Sequence, residues 1–329
     1  MTGSPIRWGI LSTGRIAGVF AEALQSLDDA RLVAVGSRSA DAAAAFGDRF
    51  NVPRRYASYE ELAADPEVDI VYIATPHALH AENCLLCLHY GKAVLCEKPF
   101  TINARQAAEV IAVARERGMF LMEAMWTRFL PAIARLRELL AANAIGEVRM
   151  IASDFGFRSS VDPRSRLFDP ALGGGSLLDV GVYPVSLTSM IFGGEPERIA
   201  TLAHLGATGV DEESAMILGY SSGRMAMLWS AIRTETPHET TIMGTDGMIR
   251  VHPQWWRART LTLIRGGRAD EVIEAPYSGN GYQYEAIEAM RCLRAGMTES
   301  PVMPLDETLG IMRTLDAIRA QWGLTYPME

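Results

Sequence analysis

The chain has 329 residues and a formal charge of −8, from 31 Lys+Arg against 39 Asp+Glu. At roughly 100–200 residues per domain, that length predicts two domains, and a composition 49% hydrophobic and 21% charged excludes disorder over most of it. The acidic balance excludes a general nucleic-acid binder, because a phosphate backbone needs a basic face. No apolar run reaches the ~18 residues of a membrane span. Residues 1–7 show no basic segment followed by a long apolar one, so neither membrane nor export is expected. Four cysteines do not make a disulfide framework at this length and point to a cytoplasmic location.

The first ~124 residues alternate short apolar runs with helical patterns. Ile6–Leu11, Arg31–Ser37, Asp69–Thr75, Lys92–Glu97 and Met119–Ala124 read as strands. Between them Arg15–Gln25, Ala40–Phe50, His77–Tyr90 and Asn103–Arg117 read as helices, with Gly91 and Gly118 as stops. Ser58-Tyr59-Glu60-Glu61 has the spacing of a capping box and opens a further short helix. Strand-helix alternation with short connections predicts parallel strands and crossover helices, in an open doubly wound sheet.

After residue 124 the rhythm changes. A helix over Pro131–Leu140 leads to a long strand, Glu147–Arg158, and a Gly-rich turn opens a helix over Gly173–Phe192. Strands at Ala215–Tyr220, Arg224–Arg233, Thr240–Met243, Met248–Val251, Thr260–Arg265 and Asp270–Ala275 are separated by hairpin signals such as Thr245-Asp246-Gly247 and Gly266-Gly267. Helices at Tyr282–Arg294 and Leu305–Gln321 close the chain. The expected fold is α/β plus α+β: a doubly wound domain over residues 1–124, and a mainly antiparallel, open-sheet domain over residues 125–329.

The first strand runs into Ser12-Thr13-Gly14-Arg15-Ile16-Ala17. The dinucleotide-binding pattern is G-x-G-x-x-G/A after a strand and opening a helix, and here Ser12, Gly14 and Ala17 stand at its three positions. A side-chain-free Gly14 lets the backbone approach a pyrophosphate, and the helix start offers it free N–H groups. The second strand ends in Ser37-Arg38, where an NAD site carries an acidic residue for the ribose. A hydroxyl and a guanidinium suit a 2′-phosphate, which favours NADP over NAD.

The strand over Lys92–Glu97 runs into Glu97-Lys98-Pro99, that over Asp69–Thr75 into Thr75-Pro76-His77-Ala78-Leu79-His80, and that over Met119–Ala124 into Met122-Glu123-Ala124-Met125-Trp126-Thr127-Arg128. With Gly173-Gly174-Gly175-Ser176-Leu177-Leu178-Asp179-Val180-Gly181-Val182-Tyr183, these motifs resemble the glucose-fructose oxidoreductase / inositol dehydrogenase / MocA family over nearly the whole chain. Tyr183, where most of that family has His, and the segment from Met122 resemble its dimeric dihydrodiol dehydrogenase / NADP-dependent D-xylose dehydrogenase branch.

Lys98 ends a parallel strand, where open α/β sheets bind ligands. Asp179 and Tyr183 are four apart and share a helix face. A phenol ionises near ~10, and a cation favours the phenolate. Lys98 would therefore tune Tyr183 to take an alcohol proton while hydride passes to the nicotinamide. Asp179 would orient the substrate hydroxyl or hold Lys98 charged. The expected catalytic set is Lys98, Tyr183 and Asp179. The expected cofactor set is Ser12, Thr13, Gly14, Arg15, Ile16, Ser37, Arg38, Thr75, Pro76, His80, Glu97, Lys98, Trp126 and Arg128. What the resemblance implies is NADP-dependent oxidation of an aldose or a trans-diol in a cleft between domains. It also implies assembly with a second copy through the open sheet. The alternative is a non-catalytic NADP-binding sensor; a nucleotide-binding methyltransferase would want an acidic residue at the end of the second strand and gives no reason for Glu97-Lys98-Pro99. Cys84 and Cys87 have no second pair, so no metal is expected. Trp255 and Trp256 are read as either a pocket wall or an interface support.

Overall fold

The computed structural model describes residues 4–329; residues 1–3, part of the segment read for export, lie outside it. The chain divides into two compact units. The first comprises Met1–Thr101, Arg105–Trp126 and Ser278–Thr308, and the second comprises Ile102–Ala104, Thr127–Tyr277 and Leu309–Glu329. A single division at residue 124 assigns Ser278–Thr308 to the second domain instead. Its place in the first unit is visible in two hydrogen bonds: Leu121 N–H donates to Thr298 O (3.0 Å), and Asn280 Nδ2 donates to Val19 O (2.8 Å).

In the first unit the strands are β1 (Ile6–Leu11), β2 (Ala30–Gly36), β3 (Arg54–Tyr56), β4 (Ile70–Ile73), β5 (Ala93–Glu97) and β6 (Leu121–Ala124). The helices between them are α1 (Arg15–Gln25), α2 (Ala40–Phe50), α3 (Tyr59–Ala64), α4 (His80–His89) and α5 (Ala104–Glu116). The sheet order is β3-β2-β1-β4-β5-β6, parallel throughout. This is the doubly wound arrangement, with its switch point between β1 and β4. The third strand, Arg-Arg-Tyr, has no apolar run, so only its place in the sheet reveals it. The Ser58 cap forms: Ser58 Oγ accepts from Glu61 N–H (3.1 Å), while the Glu61 carboxylate reaches one residue past the cap and accepts from Ala57 N–H (3.2 Å). In the core Phe20 stacks on Tyr72 with ring centroids 3.7 Å apart and meets Trp8 edge-on at 5.3 Å.

In the second unit α6 (Pro131–Ala141) precedes β7 (Val148–Gly156). A wide π-helical turn, Leu177–Gly181, runs into α7 (Val182–Phe192). Then come β8 (Arg198–Leu205), β9 (Asp211–Gly219), β10 (Met225–Ala231), β11 (Thr240–Gly244), β12 (Gly247–Val251), β13 (Thr260–Arg265) and β14 (Glu271–Glu274). Their order is β14-β13-β12-β11-β7-β10-β9-β8, antiparallel except for the parallel pair β7 and β10. The sequence reading omits β8, an edge strand whose side chains mostly face solvent. The last helices are α8 (Gln283–Arg294), in the first unit, and α9 (Leu305–Ala320).

The stretch Pro170–Phe192 is long and apolar enough to cross a membrane, but 89% of its most apolar window is buried in protein. It is a core element packed on β7 and β10. The sheet's other face carries Leu202, which is 81% exposed, and Ile217, which is 48% exposed.

Candidate active site

In the first unit the carboxyl end of β1 meets those of β4 and β2: Ala74 N–H donates to Leu11 O (3.1 Å) and Ser12 N–H to Gly36 O (2.8 Å). Ser12 has φ +103°, a conformation that favours glycine, which explains why glycine is usual at that place. Gly14 starts α1 with an ordinary φ of −70°, and no side chain caps the helix. A Cβ built there meets only Ser12 Oγ, at 3.8 Å. The space beyond Gly14 is therefore clear of protein, and the first N–H groups of α1 have no partner within the helix. These features fit a pyrophosphate. Gly14 and Arg15 are exposed, with Ser12, Thr13 and Ile16 half-buried beside them.

At the end of β2, Ser37 Oγ accepts from Ser39 N–H (3.3 Å), which leaves its own proton to donate. Ser39 in turn caps α2 through Ala42 N–H (3.3 Å). Arg38 is exposed and reaches the Tyr59 hydroxyl, whose pKa is raised by burial against the pull of that guanidinium.

Five of the expected cofactor residues, His80, Thr75, Trp126, Arg128 and Glu97, make contacts within the protein. His80 is enclosed, its Nδ1 2.8 Å from Pro99 O and its Nε2 2.9 Å from Thr75 O. Burial, more than anything else, lowers its pKa, with the Lys98 charge acting in the same direction. The ring ties β4 to β5 and has no nitrogen left for a cofactor. Thr75 Oγ1 accepts from Asn83 Nδ2 (3.2 Å), while Pro76 stays half-buried. Trp126 is buried and stacks on Tyr282, with centroids 4.4 Å apart. Arg128 belongs to the second unit, where it is buried. Its Nε donates to Ser186 Oγ (3.1 Å) and its Nη2 to Ser186 O (2.7 Å), so it clamps α7. Glu97 is also buried. It accepts a short hydrogen bond from the Tyr72 hydroxyl and another from Lys98 N–H (3.1 Å). Lys98 itself is half-buried at the strand end.

One residue near Glu97 was missed by the sequence reading. Glu285 of α8 is fully enclosed, and neither carboxyl oxygen has a hydrogen-bond partner among the described residues. Burial first, and Glu97 second, hold its pKa well above the usual carboxylate range. No single-sequence signal separates it from a surface helix glutamate.

In the second unit Asp179 lies in the π turn and Tyr183 in the first turn of α7, both buried. Arg166 Nη1 donates to Asp179 Oδ1 (2.8 Å). The Tyr183 ring lies 5.3 Å from that of Phe155. Phe155 stacks on Trp256 at 3.5 Å, and His238 stands edge-on to both rings. Trp255 is a core residue whose Nε1 donates to Asp154 O (2.6 Å). Trp256 is half-buried and, with Phe155, makes an aromatic wall beside Tyr183. Among the described residues no cluster of His, Cys, Asp and Glu could hold a metal ion. All four cysteines are free and buried.

The sequence profile of the GFO_IDH_MocA oxidoreductase family, NAD-binding Rossmann fold, matches residues 6–125. That of the family's C-terminal domain matches residues 133–250. The chain belongs to this oxidoreductase family. Among its relatives, trans-1,2-dihydrobenzene-1,2-diol dehydrogenase of Mus musculus is 41% identical over 98% of this chain and 99% of its own length. The Homo sapiens protein of the same name is 39% identical over the same shares. Among solved structures, an aldose-aldose oxidoreductase from Caulobacter crescentus complexed with glycerol superposes with a TM-score of 0.88 at 25% identity. That match covers 97% of this chain and 98% of that one. A 3-ketoreductase from Actinomadura kijaniata, in complex with NADP and TDP-benzene, gives 0.86 at 27% identity, over 96% and 98% of the two chains.

Proposed function

We propose that this oxidoreductase is an NADP-dependent dehydrogenase that oxidises a carbinol carbon of a cyclic trans-diol, of the trans-dihydrodiol type. The observation that carries this reading is the wall of Phe155 and Trp256 beside Tyr183. A flat, largely apolar ring gains contact over its whole face against such a wall, with a phenol at hand for its hydroxyl. The dihydrodiol dehydrogenase relatives support the same substrate class. A second reading is an aldose such as D-xylose, oxidised at C1. The charged pair Arg166–Asp179 and the aldose-aldose oxidoreductase relative favour it. A non-catalytic NADP-binding sensor remains the alternative; the presence of Lys98, Asp179 and Tyr183 together speaks against it.

The turn from Ser12 through Ile16 and the clear space beyond Gly14 suit the cofactor's pyrophosphate, with Thr75 and Pro76 beside it. From Val35 to Ala40 the chain has no Asp or Glu, so Ser37 and Arg38 favour NADP over NAD. When bound, the nicotinamide accepts or supplies the hydride. Tyr183 takes the hydroxyl proton during oxidation and returns it in reduction. In this reading Lys98 supplies the cation, since a positive charge beside a phenol favours the phenolate. Asp179, oriented by Arg166, holds a substrate hydroxyl. Assembly with a second copy through the exposed apolar sheet face around Leu202 and Ile217 is part of the proposal. So is a cytoplasmic location, which suits four free thiols.

The test is NADP reduction over trans-dihydrodiols, aldoses and polyols, with NAD in parallel. Tyr183→Phe keeps the ring but removes the proton carrier, so turnover falls roughly 10²–10⁴-fold while NADP affinity holds. Lys98→Met also cuts turnover. The double variant is little worse than the worse single one, because residues acting as a unit are non-additive. Retention of more than about a tenth of turnover by Tyr183→Phe, with chemistry rate-limiting, would remove Tyr183 from the role.

A further inference from the structure

Asp211, at the start of β9, is fully enclosed. Its Oδ2 accepts from Ser176 Oγ (2.7 Å) and from Leu177 N–H (2.7 Å). Those two residues open the helical segment that carries Asp179 and Tyr183. Ser176 stands at the cap position, yet its hydroxyl does not cap its own helix. The cap comes instead from a carboxylate more than thirty residues further along the chain. A negative charge at that end is favoured by the helix dipole, and a carboxylate accepting N–H and O–H makes stronger hydrogen bonds than a neutral group.

The attachment continues along the segment. Ser176 Oγ lies 3.0 Å from Ser230 Oγ, which lies 2.9 Å from Ser214 Oγ. A Cβ on Gly181 would stand 3.0 Å from Ser230 Oγ. The π turn is thus held at its start by β9 and at its end by β10, and Asp179 lies between the two holds. Such wide turns are uncommon and concentrate at functional sites. A turn of this kind, with its first N–H bonded outside the helix, takes its position from that outside partner.

We infer that Asp211 is a positioning residue, whose carboxylate cap sets the place of the π turn and through it of Asp179 and Tyr183. The inference rests on the proposed dehydrogenase reading only for its consequence in turnover; the cap itself is tested independently. The experiment compares Asp211→Ala, Asp211→Asn and the unmodified full chain in two measurements. The first is amide hydrogen exchange at neutral pH. Loss of the Asp211 hydrogen bonds to Ser176 Oγ and Leu177 N–H raises exchange across residues 177–183 by about tenfold or more in Asp211→Ala, with the six-stranded sheet unchanged. Asp211→Asn, whose amide oxygen can still accept from Leu177 N–H, lies between. The second is steady-state kinetics with the substrate found by the screen. There kcat falls with the same ranking while the NADP dissociation constant holds, because the cofactor residues lie in the other unit.

Where Asp211→Ala does not fold, Asp211→Asn carries both readouts. Exchange over residues 177–183 unchanged in the folded variants overturns the cap. Raised exchange with unchanged kcat, in a protein that Tyr183→Phe inactivates, overturns the positioning role. If the unmodified protein reduces NADP with no diol or aldose, the proposed function has failed, and the exchange result still decides the cap.

Discussion

Two turns that carry glycine each open a helix in this protein, and they keep it for opposite reasons. At Gly14 the backbone is ordinary, with φ −70°, and an added Cβ would meet only Ser12 Oγ at 3.8 Å. Nothing in the fold itself requires glycine there. At Gly175 φ is +115°, and a Cβ would lie 2.2 Å from Asp211 Oδ1. Its neighbour Gly174 would place one 2.8 Å from Leu167 O. The second turn is full of its own protein, and the first is clear for something the chain does not supply. Glycine in a sequence marks a close approach; whether the approaching group is protein or ligand is decided by what the missing side chain would touch.

That contrast can be broken by substitution. Gly175→Ala combines a positive φ with a collision against a buried carboxylate, so we expect the larger effect here, a loss of about 3 kcal/mol or more of stability. Denaturant unfolding reads it directly; a loss below about 1 kcal/mol would mean that the turn relaxes and that the contrast is overstated. Gly14→Val should leave the unfolding midpoint nearly unchanged and weaken NADP binding by about a hundredfold or more, since an added side chain stands where the pyrophosphate must approach. Calorimetric titration of the folded variant checks this. Unchanged affinity would take Gly14 out of the site.

The same contrast explains what could be read in advance. Five of the six strands of the first sheet stand out as apolar runs because both faces are buried. β3 does not, since Arg54, Arg55 and Tyr56 lie at an edge. β8 is hidden for a similar reason: its apolar residues, Leu202 among them, face solvent. Within the site, motif membership gave residue identity but not side-chain direction. Arg128 lies two residues from Trp126 in one motif, yet bonds Ser186, and His80 bridges two backbone carbonyls. Asp211 and Glu285 were not legible, because what distinguishes each is enclosure by elements distant in sequence.

The smallest effect we predict concerns Asp211 and pH. Its folded pKa is raised from 3.8 to about 7, chiefly by burial, against the hydrogen bonds from Ser176 and Leu177. The titratable group facing it from the C-terminal segment is Tyr326, itself pushed up by burial and by Asp211, and it stays neutral in this range. Between those two pH values the native carboxyl keeps a proton that the unfolded chain has lost. Stability from this group is therefore fully present below about pH 4 and is lost as pH rises toward 7, at no more than about 1.4 kcal/mol per unit. Asp211→Asn cannot ionise and escapes that loss. Its stability relative to the unmodified protein should thus improve from pH 5 to pH 7 and then level off. Urea unfolding of both proteins across that range reads the difference; a gap that stays constant with pH would mean that Asp211 is ionised throughout. A carboxylate that costs stability near neutral pH while kcat depends on it fits a site where strain is kept for function. The purely structural reading instead expects Asp211→Asn to lose stability and leave turnover untouched.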